Sequence, residues 1–321
     1  MPVHRSSINA EPRGLTAKVS SVGRRRSSKA RAEIVQVTSL SAIPWLLHAF
    51  STRIGGASKI YSGSRRVGEL NLGFTESDDR ANVATNRERF LKAVAGDPRF
   101  PMVTLHQIHS SIVRRVTISD TAENSLLSKA DGLMTNEPGI LLAIQTADCI
   151  PVLIADRRRR AVAAFHAGWR GTLKRIVEQG VGRMRLEFGS RPENLVAAIG
   201  PGIGPCCYRV GEEVVGEFES QFSYAGELFR EVYDVDPIKE KYPLLFMTAR
   251  APGHGNYGPN VHLDLIEANR RQLLDAGVKA SAISLASECT SCRIDRYFSY
   301  RAERGRTGRM FSAIGIRSQD G

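Results

Sequence analysis

From Ile34 onward the chain alternates short apolar runs with amphipathic stretches joined by polar connections. The centre carries the plainest runs. Residues 139–145 and 150–155 are apolar, of strand length and without strict alternation; after the polar stretch 156–160 a third run follows at 161–165. Short apolar runs bounded by polar turns read as strands. Helical spacing predicts three longer elements. In residues 77–94, Val83, Phe90, Leu91 and Val94 form a stripe opposite Arg80, Arg87 and Arg89, with Asp78 and Asp79 near the start. In residues 172–188, Leu173, Ile176, Val177, Val181 and Met184 recur at helical spacing, with Lys174, Arg175, Arg183 and Arg185 outside the stripe. Residues 265–276 form the third, with Asp264 as N-cap and Gly277 past the end. Between Phe222 and Asn260 the pattern fades, and residues 251–259, rich in Gly and Pro, read as an exposed loop placed to close over a substrate.

No repeat and no Pro/Gly/Ser linker divides this pattern, so one α/β domain over residues 34–318 is the economical reading. Composition agrees: 42% apolar and 24% charged residues suit a globular chain, and no apolar run reaches the roughly 18 residues of a membrane helix. The formal charge of +12 suggests an anionic partner, but residues 1–33 hold eight basic side chains against Glu11 and Glu33, half of the excess. This tail is rich in Ser, Arg and Gly and lacks periodicity, so it is expected to be disordered; a transit peptide, or a tether to RNA or lipid, is the sharper alternative. The remainder is only mildly basic and shows no aromatic platform, so neither nucleic acid nor membrane is expected as its partner. The five cysteines (Cys149, Cys206, Cys207, Cys289, Cys292) are an odd number without an export signal, which favours a reducing compartment and thiols over disulfides.

Three polar segments abut the apolar runs: Gln107-Ile-His109, Thr146-Ala-Asp-Cys149 and His166-Ala-Gly-Trp-Arg170. Polar groups beside a core need partners, so these segments are expected to converge. Two histidines and a thiolate suit zinc, and three protein ligands leave a fourth position open, as in a catalytic site. Spacing alone leaves bland readings standing: a buried Cys149, a helix-capping His166, a surface His109, with His106 as rival ligand if it shares a helix face with His109. His48, His254 and His262 have no special claim. Cys289-Thr-Ser-Cys292 with Cys206-Cys207 offers a competing four-cysteine site, although adjacent cysteines make an awkward second knuckle. Arg170 precedes a predicted helix and is a candidate anion ligand, against the alternative of a structural salt bridge. Gly200-Pro-Gly-Ile-Gly204 lacks the ending of a phosphate loop and reads as a turn.

From about Leu47 to Ile316 the chain resembles the laccase-domain, or polyphenol oxidase-like, purine nucleoside phosphorylase family. The resemblance is carried by His48-Ala-Phe-Ser-Thr-Arg-Ile-Gly-Gly56, Leu70-Asn-Leu-Gly73, Asn86-Arg87, Gln107-Ile-His109, Ala130-Asp-Gly132, Thr146-Ala-Asp-Cys-Ile-Pro-Val152, His166-Ala-Gly-Trp-Arg-Gly171, Gly200-Pro201, His262-Leu-Asp-Leu265, Cys289-Thr290, Phe298-Ser-Tyr-Arg301 and Thr307-Gly-Arg309. It implies a single-domain four-layer αββα fold with mixed sheets and a metal held by His109, Cys149 and His166, with zinc preferred over copper. It further implies a cytoplasmic enzyme, compatible with a homodimer, that takes purine nucleosides (adenosine, inosine, methylthioadenosine) and phosphate to base and ribose 1-phosphate, with adenosine deamination as a companion activity. Asp148 is the candidate for proton handling or ligand orientation, and Arg53, Asn71, Arg87 and Arg170 for substrate contacts. Two positions depart from the family pattern: Ser110 where glycine is usual and Arg209 where Glu is frequent. A cysteine amidase acting on cell-wall precursors, with Cys149 as nucleophile, uses the same residues. A copper polyphenol oxidase is poorly served by seven scattered histidines.

Overall fold

The computed structural model describes residues 31–61, 68–120, 128–232, 260–286 and 288–318. The tail expected to be disordered, up to residue 30, and the loop expected at 251–259 lie outside them. Residues 31–33, assigned to the tail on composition, are held by the domain instead. Glu33 exchanges backbone hydrogen bonds with Ile54 and Thr52, and its carboxylate pairs with Arg296 at 2.9 Å.

In chain order the strands are β1 (Ile34–Val35), β2 (Leu46–Ser51), β3 (Ile54–Ser58), β4 (Met102–Val103), β5 (Val113–Arg115), β6 (Gly132–Thr135) and β7 (Leu141–Thr146). They continue with β8 (Ile150–Asp156), β9 (Ala161–Ala167), β10 (Leu195–Ile199), β11 (Phe229–Val232), β12 (Asn260–Leu263), β13 (Ile283–Leu285) and β14 (Met310–Ile316). The helices are α1 (Thr38–Ser41), α2 (Arg80–Ala95), α3 (Trp169–Leu173), α4 (Ile176–Phe188), α5 (Glu212–Gln221) and α6 (Leu265–Asp275). One sheet has the order β1-β2-β14-β7-β4 and the other β13-β10-β8-β9-β6-β5, while β11 and β12 pair separately. Both large sheets are mixed: β4 runs parallel to β7, and β13 to β10, among antiparallel neighbours.

The alternation of side chains along each strand explains the layers. Phe50, Leu142, Ile144, Leu153, Ala155, Val162, Ala164 and Ile314 meet in one core, which joins the two sheets. The intervening residues of the first sheet, Leu47, Ala49, Leu141, Ala143 and Ala313, pack with Phe90, Leu91 and Val94 of α2. Those of the second sheet, Val152, Ile154, Ala163 and Phe165, pack with Val177, Val181 and Met184 of α4 and Ala268 and Leu273 of α6. The molecule is therefore a four-layer αββα sandwich. Strands β7, β8 and β9 read as continuous apolar runs because each is buried on both faces.

Two helices differ from their predicted extents. The first begins at Arg80 because Asp79 is its N-cap, accepting from Ala81 N at 2.9 Å; Asp78 is instead engaged by Ser58 Oγ (2.6 Å) and Asn71 (2.7 Å). The helix predicted over 172–188 is two helices, α3 and α4, parted at Arg175, whose φ of 57° is left-handed. Asp264 caps α6 as expected, accepting from Glu267 N at 3.0 Å.

Candidate metal centre

The three polar segments converge where β7, β8 and β9 end. Cys149 occupies the tight connection between β7 and β8, made possible by Asp148 at φ 90°. His166 sits near the end of β9, paired in register with Pro151 of β8, which brings it beside Cys149. His109 comes from the loop between β4 and β5, itself in the left-handed region at φ 56°. That loop is clasped to β7 by Gln107, whose side chain both donates to Gln145 O (2.8 Å) and accepts from Gln145 N (2.7 Å).

The donor atoms of His109, Cys149 and His166 lie within 4.8 Å of one another. Cys149 Sγ is 3.9 Å from His109 Nε2, and the two imidazoles meet edge to face with centroids 4.9 Å apart. Gly168 lets them close up, since a Cβ there would stand 2.9 Å from both Cys149 Sγ and His109 Cδ2. His106, the rival, is exposed on an extended segment bridged to Lys129 and shares no helix with His109.

Asp131, fully buried, holds the centre together. Its carboxylate accepts from the backbone N–H of His109 (2.9 Å) and Ser110 (2.6 Å), from Ser110 Oγ (2.7 Å), and from His166 Nδ1 (2.9 Å). With the ring neutral, as a metal ligand requires, the last bond keeps the proton on Nδ1 and leaves the Nε2 lone pair facing the other ligands. Burial resists ionisation of Asp131, but hydrogen bonds from His166 and Ser110 overcome it and lower its pKa to about 2. For Cys149 burial again opposes charge, and His166 and His109 prevail, lowering the thiol to about 6. His166 shifts the opposite way: burial would lower it, while Cys149 and Asp131 raise it to about 9. Two nitrogens and one readily formed thiolate, oriented by a carboxylate, are a donor set that fits a divalent metal such as zinc and leaves one position free.

Around this centre the expected residues divide. Asp148 adjoins it, but both carboxylate oxygens are engaged, by Thr290 Oγ1 (2.6 Å) and Arg301 N (2.7 Å). Arg170 is exposed at the start of α3, its guanidinium 4.3 Å above Trp169. Arg53, Asn71 and Arg87, expected to contact substrate, serve the domain's own framework. Buried Arg53 pairs with Glu69 (2.7 Å) and Glu303 (3.1 Å) and donates to the carbonyl of Ile294. Asn71 donates to Asp78 and accepts from Arg309 N. Arg87 donates to Leu72 O and lies over Phe74 and Phe311. Sequence reasoning gave no role to Asp131 or Tyr208. Tyr208 is pushed up by burial and by the charge of Cys149, which marks it as a neighbour of the centre.

The family model described as "multi-copper polyphenol oxidoreductase laccase" matches residues 47–317, most of the chain. The chain belongs to this family. Among laccase-family relatives it is 36% identical over 277 residues to the purine nucleoside phosphorylase YlmD of Geobacillus stearothermophilus, covering 84% of this chain and 89% of that one. It is 33% identical over 278 residues to the adenosine deaminase RL5 of an unknown prokaryotic organism, covering 84% and 93%. The crystal structure of the hypothetical protein YfiH from Bacillus licheniformis, at 29% identity, superposes with a TM-score of 0.72 over 91% of this chain and 98% of that one. The fold of this chain is thus shared with that solved structure.

Proposed function

We propose that the chain is a zinc-dependent purine nucleoside phosphorylase that converts adenosine, inosine and methylthioadenosine to free base and ribose 1-phosphate, and that the same site deaminates adenosine. The observation that carries this reading is the convergence of His109, Cys149 and His166 on one point, with Asp131 orienting His166. The relatives named as phosphorylases and a deaminase extend over the whole of that region. Zinc held by His109, Cys149 and His166 would supply a Lewis acid to the site.

The protein's own groups do the rest. Arg170, whose exposed guanidinium is free to meet an anion, would hold the phosphate that attacks the anomeric carbon as the glycosidic bond to the base breaks. Asp148, with both oxygens occupied, fixes the loops around Cys149, which favours orientation over proton transfer. A cleft of about 380 Å³ lined by Tyr61, Phe74, Gln145 and Arg309 shares Gln145 with the clasp on Gln107. Its aromatic and cationic lining suits a purine nucleoside. Copper oxidase chemistry is less well served: His48 accepts from Val37 N and His262 is bonded to the Pro205 carbonyl, so neither extends the donor set of His109 and His166.

One observation favours a second reading. A thiol lowered to about 6 beside His109 is also what a cysteine nucleophile requires, as in an amidase. Purified protein incubated with adenosine or inosine separates the two. The expected result is release of base and ribose 1-phosphate that requires phosphate and is lost on chelation. An amide-cleaving activity that survives chelation, with no nucleoside cleavage, would overturn the proposal.

A further inference from the structure

A second group of metal-ligating side chains gathers on two loops apart from His109, Cys149 and His166. The sulfur atoms of Cys206, Cys207, Cys289 and Cys292 all lie within 4.8 Å of one another, and Cys292 Sγ is 3.4 Å from both Cys206 Sγ and Cys207 Sγ. All four are free thiols, and these separations lie well beyond the roughly 2.05 Å of a disulfide bond. Four sulfurs placed about 2.3 Å from a tetrahedral zinc ion stand about 3.8 Å apart, inside the observed spread.

The backbone explains how adjacent cysteines serve one site. Cys207 N and Tyr208 N both bond to Gly204 O at 3.0 Å, so the segment coils through a helical turn. Successive side chains then diverge by about 100°, and two neighbours can approach one point from different sides. On the other loop Arg293 N bonds to Cys289 O at 3.0 Å, which brings Cys289 and Cys292, three residues apart, to the same side of their turn. Gly204 N donates to Cys289 Sγ at 3.2 Å, a bond that favours the thiolate. A Cβ at Gly204 would lie 3.3 Å from Cys206 Sγ and from Cys289 Cβ, close enough that the cysteines would have to give by a few tenths of an ångström.

We propose that Cys206, Cys207, Cys289 and Cys292 bind a structural zinc ion as four thiolates, in a closed site separate from that of His109, Cys149 and His166. Binding displaces the thiol protons to solvent and changes no oxidation state. With every position taken by sulfur the ion has no place for substrate, so its work is to join the two loops. Those loops are the ones that hold Asp148. Ile203 N bonds to Asp148 O (2.8 Å), Thr290 Oγ1 and Arg301 N engage its carboxylate, and Thr290 N bonds across to Gly202 O (3.0 Å). The tetrathiolate site thereby pins the walls of the connection that carries Cys149.

The direct test uses full-length Cys149→Ala protein, in which the first centre is dismantled, after dialysis against a weak chelator under reducing conditions. Zinc analysis is expected to find about one ion per chain, and X-ray absorption a shell of four sulfurs at about 2.3 Å. Metal-free protein, a shell containing nitrogen or oxygen, or cysteines paired as disulfides would overturn the proposal. As a second variant, Cys206→Ser/Cys292→Ser in the otherwise native chain is expected to lose one zinc and to melt at a lower temperature; an unchanged zinc content overturns it equally. Neither readout depends on nucleoside cleavage, so this site and the phosphorylase assignment fail separately.

Discussion

At the scale of single residues, Asp131 connects sequence to chemistry most directly. Its one carboxylate sets the left-handed turn at His109 and the ring orientation of His166. Asp131→Asn keeps the size but replaces one acceptor oxygen by a donor, which faces either the backbone N–H groups or His166 Nδ1–H. Zinc affinity is expected to fall by about 10- to 100-fold, read by competition with a chromophoric chelator; unchanged affinity would mean that the ligands are oriented by other contacts. Polar segments beside apolar runs brought His109, Cys149 and His166 forward, and the family resemblance chose them as ligands over their bland readings. Asp131 was not legible, since Ala130-Asp-Gly132 reads as an ordinary turn until the fold brings His166 to it. The ion pairs of Arg53 were hidden for a similar reason: nothing local announces that Glu69 and Glu303 will enclose its guanidinium.

At the scale of elements, the apolar runs gave β7, β8 and β9 to within two residues at each end, because burial on both faces leaves the middle of each strand apolar. The break at Arg175 left no signal. Lys174 and Arg175 are good helix formers, and the left-handed Arg175 is tied down by a local pair with Glu178 (2.8 Å) and a tertiary bond to Gln221 O (2.8 Å). β2 carries a pH-dependent tie of the same long-range kind. His48 on that strand is buried, and its Nε2 accepts from Val37 N (3.0 Å), fastening the segment between β1 and α1. Burial lowers its pKa from 6.5 to about 4, and the bond accepted from Val37 N requires the same neutral ring. Because the folded value is depressed, the unfolded chain binds the proton first as pH falls. The contribution is intact above pH 6.5, declines toward pH 4 by about 3 kcal/mol, and falls no further below that. Urea midpoints across this range should show the decline, and His48→Gln should flatten it. A wild-type midpoint independent of pH would show that His48 is protonated as readily in the fold as outside it.

At the scale of the whole molecule, the pattern of runs gave the class but not the sheet order. β14 inserts between β2 and β7, pairing Ala313 with Ala49 and with Ala143, contacts that no local periodicity encodes. The four-layer arrangement entered through the family resemblance, and the alternation of core residues along β7, β8 and β9 then accounts for it physically. The same sandwich gathers the loops at residues 105–110, 200–209 and 289–301 around the ends of three central strands, so that the candidate catalytic centre and the cysteine cluster share a wall at Asp148. The two sites are then expected to respond differently to loss of their ligands: one in chemistry, the other in stability. The central claim is that His109, Cys149 and His166 form one metal centre through which nucleosides are cleaved. Its most direct test is phosphate-dependent release of hypoxanthine from inosine by wild-type and Cys149→Ala proteins that melt cooperatively. Release by the wild type and its abolition in Cys149→Ala are the expected result, while phosphorolysis retained in the folded variant would contradict the claim.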